Sequence, residues 1–154
     1  MLIQIKDVLD QEQLAVAHQL IASGRFADGS SSAGMAARRV KHNNELQLPQ
    51  KQMGELNNLI MGSLVNNPVY RSAAMPLKVA APYYARYTAG MTYGDHVDDP
   101  IMGQGAELYR SDLSVTIFLN SPNDYDGGEL TIQTAFGDQR VKLPAGDAVL
   151  YPSS

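Results

Sequence analysis

The sequence predicts an α+β chain, mainly β, with helices gathered towards its N-terminus and a sandwich or jelly roll of short strands in its second half. Three observations lead there. Two stretches between residues 10 and 66 place apolar side chains at helical spacing. From Asp112 the period changes to two, and in DLSVTIFLN the residues Leu113, Val115, Ile117 and Leu119 alternate with Ser114, Thr116, Phe118 and Asn120. Turns at SPNDYDGG and FGDQ then separate that strand from ELTIQ, RVKLP and GDAVLYP, and short strands between Gly-, Pro- and Asp-rich turns are the pattern of sandwiches and jelly rolls.

The first helix is announced by Asp10 and, three residues on, Gln13, the spacing of a capping box. Leu14, Ala17, Leu20 and Ile21 follow as its apolar side, and Ser23-Gly24 marks a stop. A second helix is expected from Pro49, tolerated in a first turn because no N–H is needed there. Its stripe is Met53, Leu56, Leu59, Ile60 and Leu64, and Asn66-Asn67-Pro68 ends it. Between the helices, GRFADGSSSAGMAARRVKHNNEL lacks a period and reads as a loop, either plain surface or a substrate-contacting flap, with one short strand near Arg39-Val40. KVAAPYYARYTAG, with Val79 and three tyrosines, is expected to be β, closed by Gly90. The organisation expected is one structural unit: a helical support over residues 1–74 and a β core over 75–154.

Composition narrows the function. The chain has 154 residues, 44% hydrophobic and 18% charged, with a formal net charge of −4, which suits one globular domain rather than disorder. No apolar run approaches the roughly 20 residues of a membrane helix. The N-terminus lacks the basic-then-apolar plan of a signal peptide, so a cytoplasmic protein without a membrane partner is expected. Zero cysteines exclude disulfides, thiolate zinc sites and thiol catalysis. The acidic balance argues against nucleic acid as a partner.

Of the three histidines, His18, His42 and His96, the last has the telling neighbours, TYGDHVDDP. In an extended segment His96 and Asp98 project from one face, and Asp95, Val97 and Asp99 from the other, with Pro100 as the stop. An imidazole and a carboxylate on one face can grip a metal ion from two sides. A further histidine would complete the two-His-one-carboxylate triad of non-haem Fe(II) oxygenases. His-x-Asp alone favours a surface His paired to Asp95, Asp98 or Asp99 over a metal ligand.

The surrounding residues extend the pattern. Tyr87-Thr88-Ala89-Gly90-Met91-Thr92-Tyr93 precedes His96-Val97-Asp98, and TIFLN and then Asp126-Gly127-Gly128-Glu129-Leu130 follow. This run, YxxGxxYxxHxD with TIFLN and DGGEL, resembles the Fe(II)/2-oxoglutarate-dependent prolyl/lysyl hydroxylase-like dioxygenases. The whole chain is similar to bacterial PKHD-type hydroxylases, a group associated with iron-uptake loci. The resemblance implies a double-stranded β-helix, or jelly roll, and the cofactors Fe(II), 2-oxoglutarate and L-ascorbate, the last as a reductant. It implies a 2-oxoglutarate-dependent hydroxylase (EC 1.14.11.-) that consumes dioxygen and releases succinate and CO2. The substrate, peptidyl or small-molecule, is left open, and a homodimer is a reasonable expectation.

By that resemblance His96 and Asp98 are the catalytic iron ligands. Tyr87 aligns with a tyrosine whose hydroxyl reaches 2-oxoglutarate, with a core aromatic as its alternative role. Phe118 stands where some relatives carry a second co-substrate tyrosine, and a phenyl ring cannot make that hydrogen bond. Tyr93 is expected to pack at the mouth of the site, Gly127-Gly128 to form a turn with positive φ, and Glu129 to be structural. Arg86 and Arg110 are either surface residues or ligands for an acidic group.

The pattern also requires a third ligand, a His, and beyond it an Arg or Lys for the distal carboxylate of 2-oxoglutarate. No histidine follows His96, and His18 and His42 lie in a helical pattern and a loop. The expectation is a truncated piece whose third ligand and last jelly-roll strands lie beyond Ser154, leaving an open sheet edge and an inactive 154-residue chain. Three rivals stand beside it: a cupin-like jelly-roll binding domain without redox activity, a zinc or manganese isomerase on the same fold, and an inactive fragment.

Overall fold

The computed structural model describes residues 1–32 and 37–153. Among these residues the chain forms twelve short strands and three α-helices. The strand β1 (Ile3–Ile5) leads into the helix α1 (Gln11–Ala22). At its start the Gln13 N–H donates to Asp10 Oδ1 at 2.8 Å while the Asp10 N–H donates to Gln13 Oε1 at 2.9 Å, the reciprocal box expected from the sequence. Ser23 caps the other end.

The helix α2 (Gln50–Asn66) buries Leu56, Ile60 and Leu64, each worth roughly 1.5–3 kcal/mol of transfer free energy. Pro49 sits one position outside it, as the N-cap rather than in the first turn. Asn66-Asn67-Pro68 ends α2 but also begins a further helix that the sequence did not announce, α3 (Pro68–Ala74). Asn67 accepts from the N–H groups of Val69 and Tyr70, and Pro68 occupies the first turn. A break signal and a start signal coincide in the same residues.

The segment expected to be a loop is largely structured. β2 (Arg25–Asp28) pairs antiparallel with β4 (Asn44–Gln47), and β4 pairs with β5 (Ala85–Arg86). At Arg39-Val40 there is a 3₁₀ turn, Ala37–Val40, and the strand β3 (Lys41–His42) begins one residue later, paired with β6 (Thr92–Tyr93). These strands are two to four residues long and lean on distant partners, which is why no local period reveals them. Residues 33–36 of this stretch lie outside the described residues. The expected β zone up to Tyr93 is correspondingly sparse, with only β5 and β6 as strands. A small ribbon, β7 (Ile101–Met102) with β8 (Tyr109–Arg110), follows.

The second half matches its alternating pattern. β9 (Leu113–Ile117) pairs with β12 (Ala148–Pro152), which pairs on its other side with β1, giving the order β1-β12-β9. The N-terminal segment thus donates a strand to the sheet of the C-terminal half. β10 (Leu130–Thr134) and β11 (Gly137–Val141) form a hairpin with Ala135-Phe136 as its turn, two residues earlier than FGDQ suggested.

Alternation along β9 separates two environments. Leu113, Val115 and Ile117 pack with Ile5, Leu64, Tyr70, Ala148 and Leu150 beneath α2 and α3. On the opposite side Phe118 and Tyr151 pack with Val141, Leu143 and Val149 under the β10–β11 hairpin. Gly146 locks this to the N-terminus. Its N–H donates to the Phe118 carbonyl at 2.8 Å, and its carbonyl accepts from the Leu9 N–H at 3.1 Å. With φ at +93° and the Leu9 carbonyl 2.3 Å from where a Cβ would stand, only glycine fits.

Candidate metal centre

After Tyr93 the backbone leaves the sheet. Gly94 remains tethered through its N–H to the Val40 carbonyl at 2.9 Å, the chain bends at Asp95, and residues 96–99 carry no regular structure. The strand expected through His96 and Asp98, with Pro100 as its stop, therefore ends at Tyr93. The Asp95 carboxylate accepts from Gln133 Nε2 at 3.1 Å, drawing the bend towards the β10–β11 hairpin rather than along β6. The Asp98 N–H donates to the Ser153 carbonyl at 3.3 Å, anchoring the segment to the end of β12.

The two side chains nevertheless converge, with His96 Nε2 3.4 Å from Asp98 Oδ1. The outer atom of each is held. His96 Nδ1 lies 2.7 Å from the Gly94 carbonyl, which can only accept, so Nδ1 carries a proton and Nε2 is the ring nitrogen turned towards Asp98. Ser114 Oγ donates to Asp98 Oδ2 at 2.7 Å, leaving Oδ1 facing that nitrogen. The Tyr93 ring lies nearly parallel on the imidazole, centroids 3.7 Å apart and planes 11° apart, and fixes the ring plane. Tyr93 thus packs at the site as expected.

In the Nδ1–H tautomer Nε2 and Oδ1 are both acceptors, an arrangement that suits a cation between them. At 3.4 Å the pair is too long for a strong charge-assisted hydrogen bond. Cis donors about 2.1 Å from a divalent ion stand roughly 3 Å apart, close to the observed spacing. An imidazole and a carboxylate, each oriented by an outer hydrogen bond, could hold a ferrous or similar ion. Among the described residues no group of three His, Cys, Asp or Glu gathers around one point. His18 bonds the Leu119 carbonyl through Nε2 at 2.8 Å, and His42 is exposed on β3 opposite Thr92; neither joins the pair.

One wall of the site comes from residues 41–45. Lys41 and Asn43 are buried, at 7% and 3% exposure. The Lys41 ammonium pairs with Glu45, donates to Ser32 Oγ, and lies 5.3 Å from the Tyr93 ring centroid. Asn43 Nδ2 donates to the Tyr87 hydroxyl at 3.1 Å. Tyr87 is thus about half-exposed with its hydroxyl tied to a buried amide, not a core aromatic. Burial pushes the Tyr87 phenol up, the Asn43 hydrogen bond partly offsets this, and the charges of Glu45 and Tyr151 add to the rise. Burial, followed by the nearby carboxylate of Asp98, pushes Tyr93 up to about 12.

The opposite wall is the polar side of β9. Tyr151 pairs in register with Ser114, and its hydroxyl stands 3.2 Å from Thr116 Oγ1. Burial raises the Tyr151 phenol, the Thr116 bond lowers it, and Asp98 raises it again. Phe118 continues this side as an apolar surface. Of these residues the sequence reading did not single out Ser114, Thr116, Tyr151 or Asn43. The polar half of the β9 alternation was the available signal for Ser114 and Thr116, whereas nothing local marked Tyr151 or Asn43.

The remaining expectations fall away from this centre. Arg110 pairs with Asp112 at 2.7 Å on the surface, and the Arg86 guanidinium lies 3.9 Å from the Phe26 ring centroid. Gly127 and Gly128 have φ of +67° and +69°, as the turn required. Among the described residues no helix is long and apolar enough to cross a membrane.

Residues 82–154 match the family described as the 2OG-Fe(II) oxygenase superfamily. The chain is 49% identical over 154 residues to a PKHD-type hydroxylase of Thioalkalivibrio sulfidiphilus. It is 43% identical over 157 residues to one of Paracoccus denitrificans and 41% over 155 to one of Stenotrophomonas maltophilia. In each case all of this chain aligns, covering 69% of the relative.

Proposed function

The chain belongs to the PKHD-type hydroxylases of the 2OG-Fe(II) oxygenase superfamily, and on that footing we propose that His96 and Asp98 bind a catalytic Fe(II) and that Tyr87 binds 2-oxoglutarate beside it. The observation that carries this reading is the inward-facing pair, Nε2 and Oδ1 at 3.4 Å, with both outer atoms tied to the protein. When bound, Fe(II) and 2-oxoglutarate supply the oxidation of a substrate C–H to C–OH, with succinate and CO2 as co-products.

The chain's own residues do the positioning. Asp98 contributes one negative charge towards the ion, and its Ser114 hydrogen bond keeps one oxygen aimed inward. Gly94 fixes the His96 tautomer and Tyr93 its plane. The Tyr87 hydroxyl, accepting from Asn43, has its own proton left to donate to a carboxylate of 2-oxoglutarate. Phe118 packs with the buried Leu143 and Val149, so this side of the pair is backed by apolar core.

The reading includes a jelly roll, of which the β1-β12-β9 sheet and the facing β10–β11 hairpin are two layers. It assigns the third iron ligand to a histidine following Ser154. It takes in a peptidyl or small-molecule substrate linked to iron uptake, and a homodimer. A cytoplasmic setting would keep the metal ferrous, with ascorbate as reductant. The test is succinate formation by the whole protein with Fe(II), 2-oxoglutarate and dioxygen. His96→Ala and Asp98→Asn should each abolish Fe(II) binding and succinate formation while leaving the circular dichroism spectrum unchanged. A native protein that binds neither Fe(II) nor 2-oxoglutarate refutes the reading.

A further inference from the structure

We infer that Asn43 is a positioning residue that makes Tyr87 an obligate hydrogen-bond donor towards the co-substrate; the inference rests on the reading of Tyr87 given above. Asn43 is 3% exposed, and its Nδ2 donates to the Tyr87 hydroxyl at 3.1 Å. An amide N–H has no lone pair to offer in return, so the Tyr87 oxygen is fixed as acceptor on that side. Its single proton must point elsewhere. The phenol is raised by burial and by the charges of Glu45 and Tyr151, so that proton stays on at neutral pH.

The fold spends a good deal on holding Asn43 still. The Gly29 N–H donates to the Asn43 carbonyl at 3.0 Å, and a Cβ on Gly29 would stand 2.3 Å from Asn43 Oδ1 and 2.9 Å from Glu45 Cγ. Glycine at position 29 is therefore what lets the amide lie flat against the neighbouring backbone. Asn43 Oδ1 is buried with no hydrogen-bond partner among the described residues. An unpaired buried carbonyl is unfavourable, so packing alone would favour an apolar residue here. Among the described residues the Nδ2 contact with Tyr87 is the one polar contact of this side chain. Lys41 and Glu45, its neighbours on the same strand-like run, are paired with each other and leave the amide free for Tyr87.

Direction is what the experiment reads. Asn43→Asp keeps the shape but replaces the donor with an acceptor that captures the Tyr87 proton. Asn43→Leu removes the donor without capturing it. Binding of 2-oxoglutarate is measured by calorimetry on the whole protein loaded with Mn(II), which does not turn over. Asn43→Asp is expected to weaken binding by tenfold or more, and Asn43→Leu by about three- to fivefold, with Mn(II) affinity unchanged in both. In a Tyr87→Phe background the two substitutions should have no further effect. If Asn43→Asp binds like the native protein, or the loss persists in Tyr87→Phe, the inference is overturned while the co-substrate role of Tyr87 stands. If native protein binds Mn(II) but no 2-oxoglutarate, that role fails and takes the inference with it.

Discussion

Ser114→Ala isolates the support of the carboxylate proposed to bind the metal from the carboxylate itself. The hydroxyl donates to Asp98 Oδ2 at 2.7 Å, the length of a strong bond to a charged acceptor. Such a bond contributes about 1.5–3 kcal/mol, and loss of an outer partner of a metal ligand lowers affinity roughly 10–100-fold. The two estimates coincide, since a factor of ten is about 1.4 kcal/mol. The strand itself should survive, because Ser114 pairs with Tyr151 through backbone alone and alanine keeps that register. The expected result is Fe(II) or Mn(II) affinity reduced by about 10–100-fold, read by metal titration of the whole protein, with a melting temperature within a few degrees of native. Ser114→Thr retains the hydroxyl and should recover most of the affinity. Equal metal affinity in the native protein and Ser114→Ala would show that Asp98 needs no orienting partner, and would remove the argument for a preformed pair.

Gly146→Ala should destabilise the protein by more than about 2 kcal/mol, since φ at +93° and a Cβ 2.3 Å from the Leu9 carbonyl add left-handed strain to a backbone clash; denaturant melts check it, and a shift under 0.5 kcal/mol would refute the tight crossing. Alkaline titration should show Tyr93 losing its proton near pH 12 in the folded chain. Unfolded tyrosine ionises near pH 10, so the unfolded chain loses protons first and stability falls as pH rises from about 10 to 12. Tyrosine absorbance followed against pH, with Tyr93→Phe as the control, checks the sign; a Tyr93 titrating near 10 would place its hydroxyl in water.

How much was legible depended on how far apart the interacting residues lie. The Asp10–Gln13 box, the α2 stripe and the β9 alternation each operate within a few residues, and composition displays them directly. Helix α3 was hidden because Asn67-Pro68 terminates one helix by the same properties that start another. The β2–β4 and β3–β6 pairs were hidden because strands of two to four residues have no period of their own. At the site, His96 and Asp98 could be paired from spacing, but the reason they converge could not. It is a bend held by Asp95 and Gln133, with Ser114 and Ser153 reaching in from β9 and β12. Asn43 meets Tyr87 only because the 41–45 run crosses beside β5 and β6, a juxtaposition set by sheet register across 44 residues.

The pairing of Ile3–Ile5 with Ala148–Leu150 bears on how the molecule is made. During synthesis the first strand leaves the ribosome long before its partner exists. Until Ala148 to Pro152 emerge, the cluster of Ile5, Val8, Leu64 and Tyr70 lacks Ala148 and Leu150, which complete it. Contacts of such long range slow folding, and the waiting strand offers open backbone groups to other nascent chains. Slower translation or a bound chaperone should therefore matter most over the last few residues described here, when a late ribbon slides between two early ones and seals the interior.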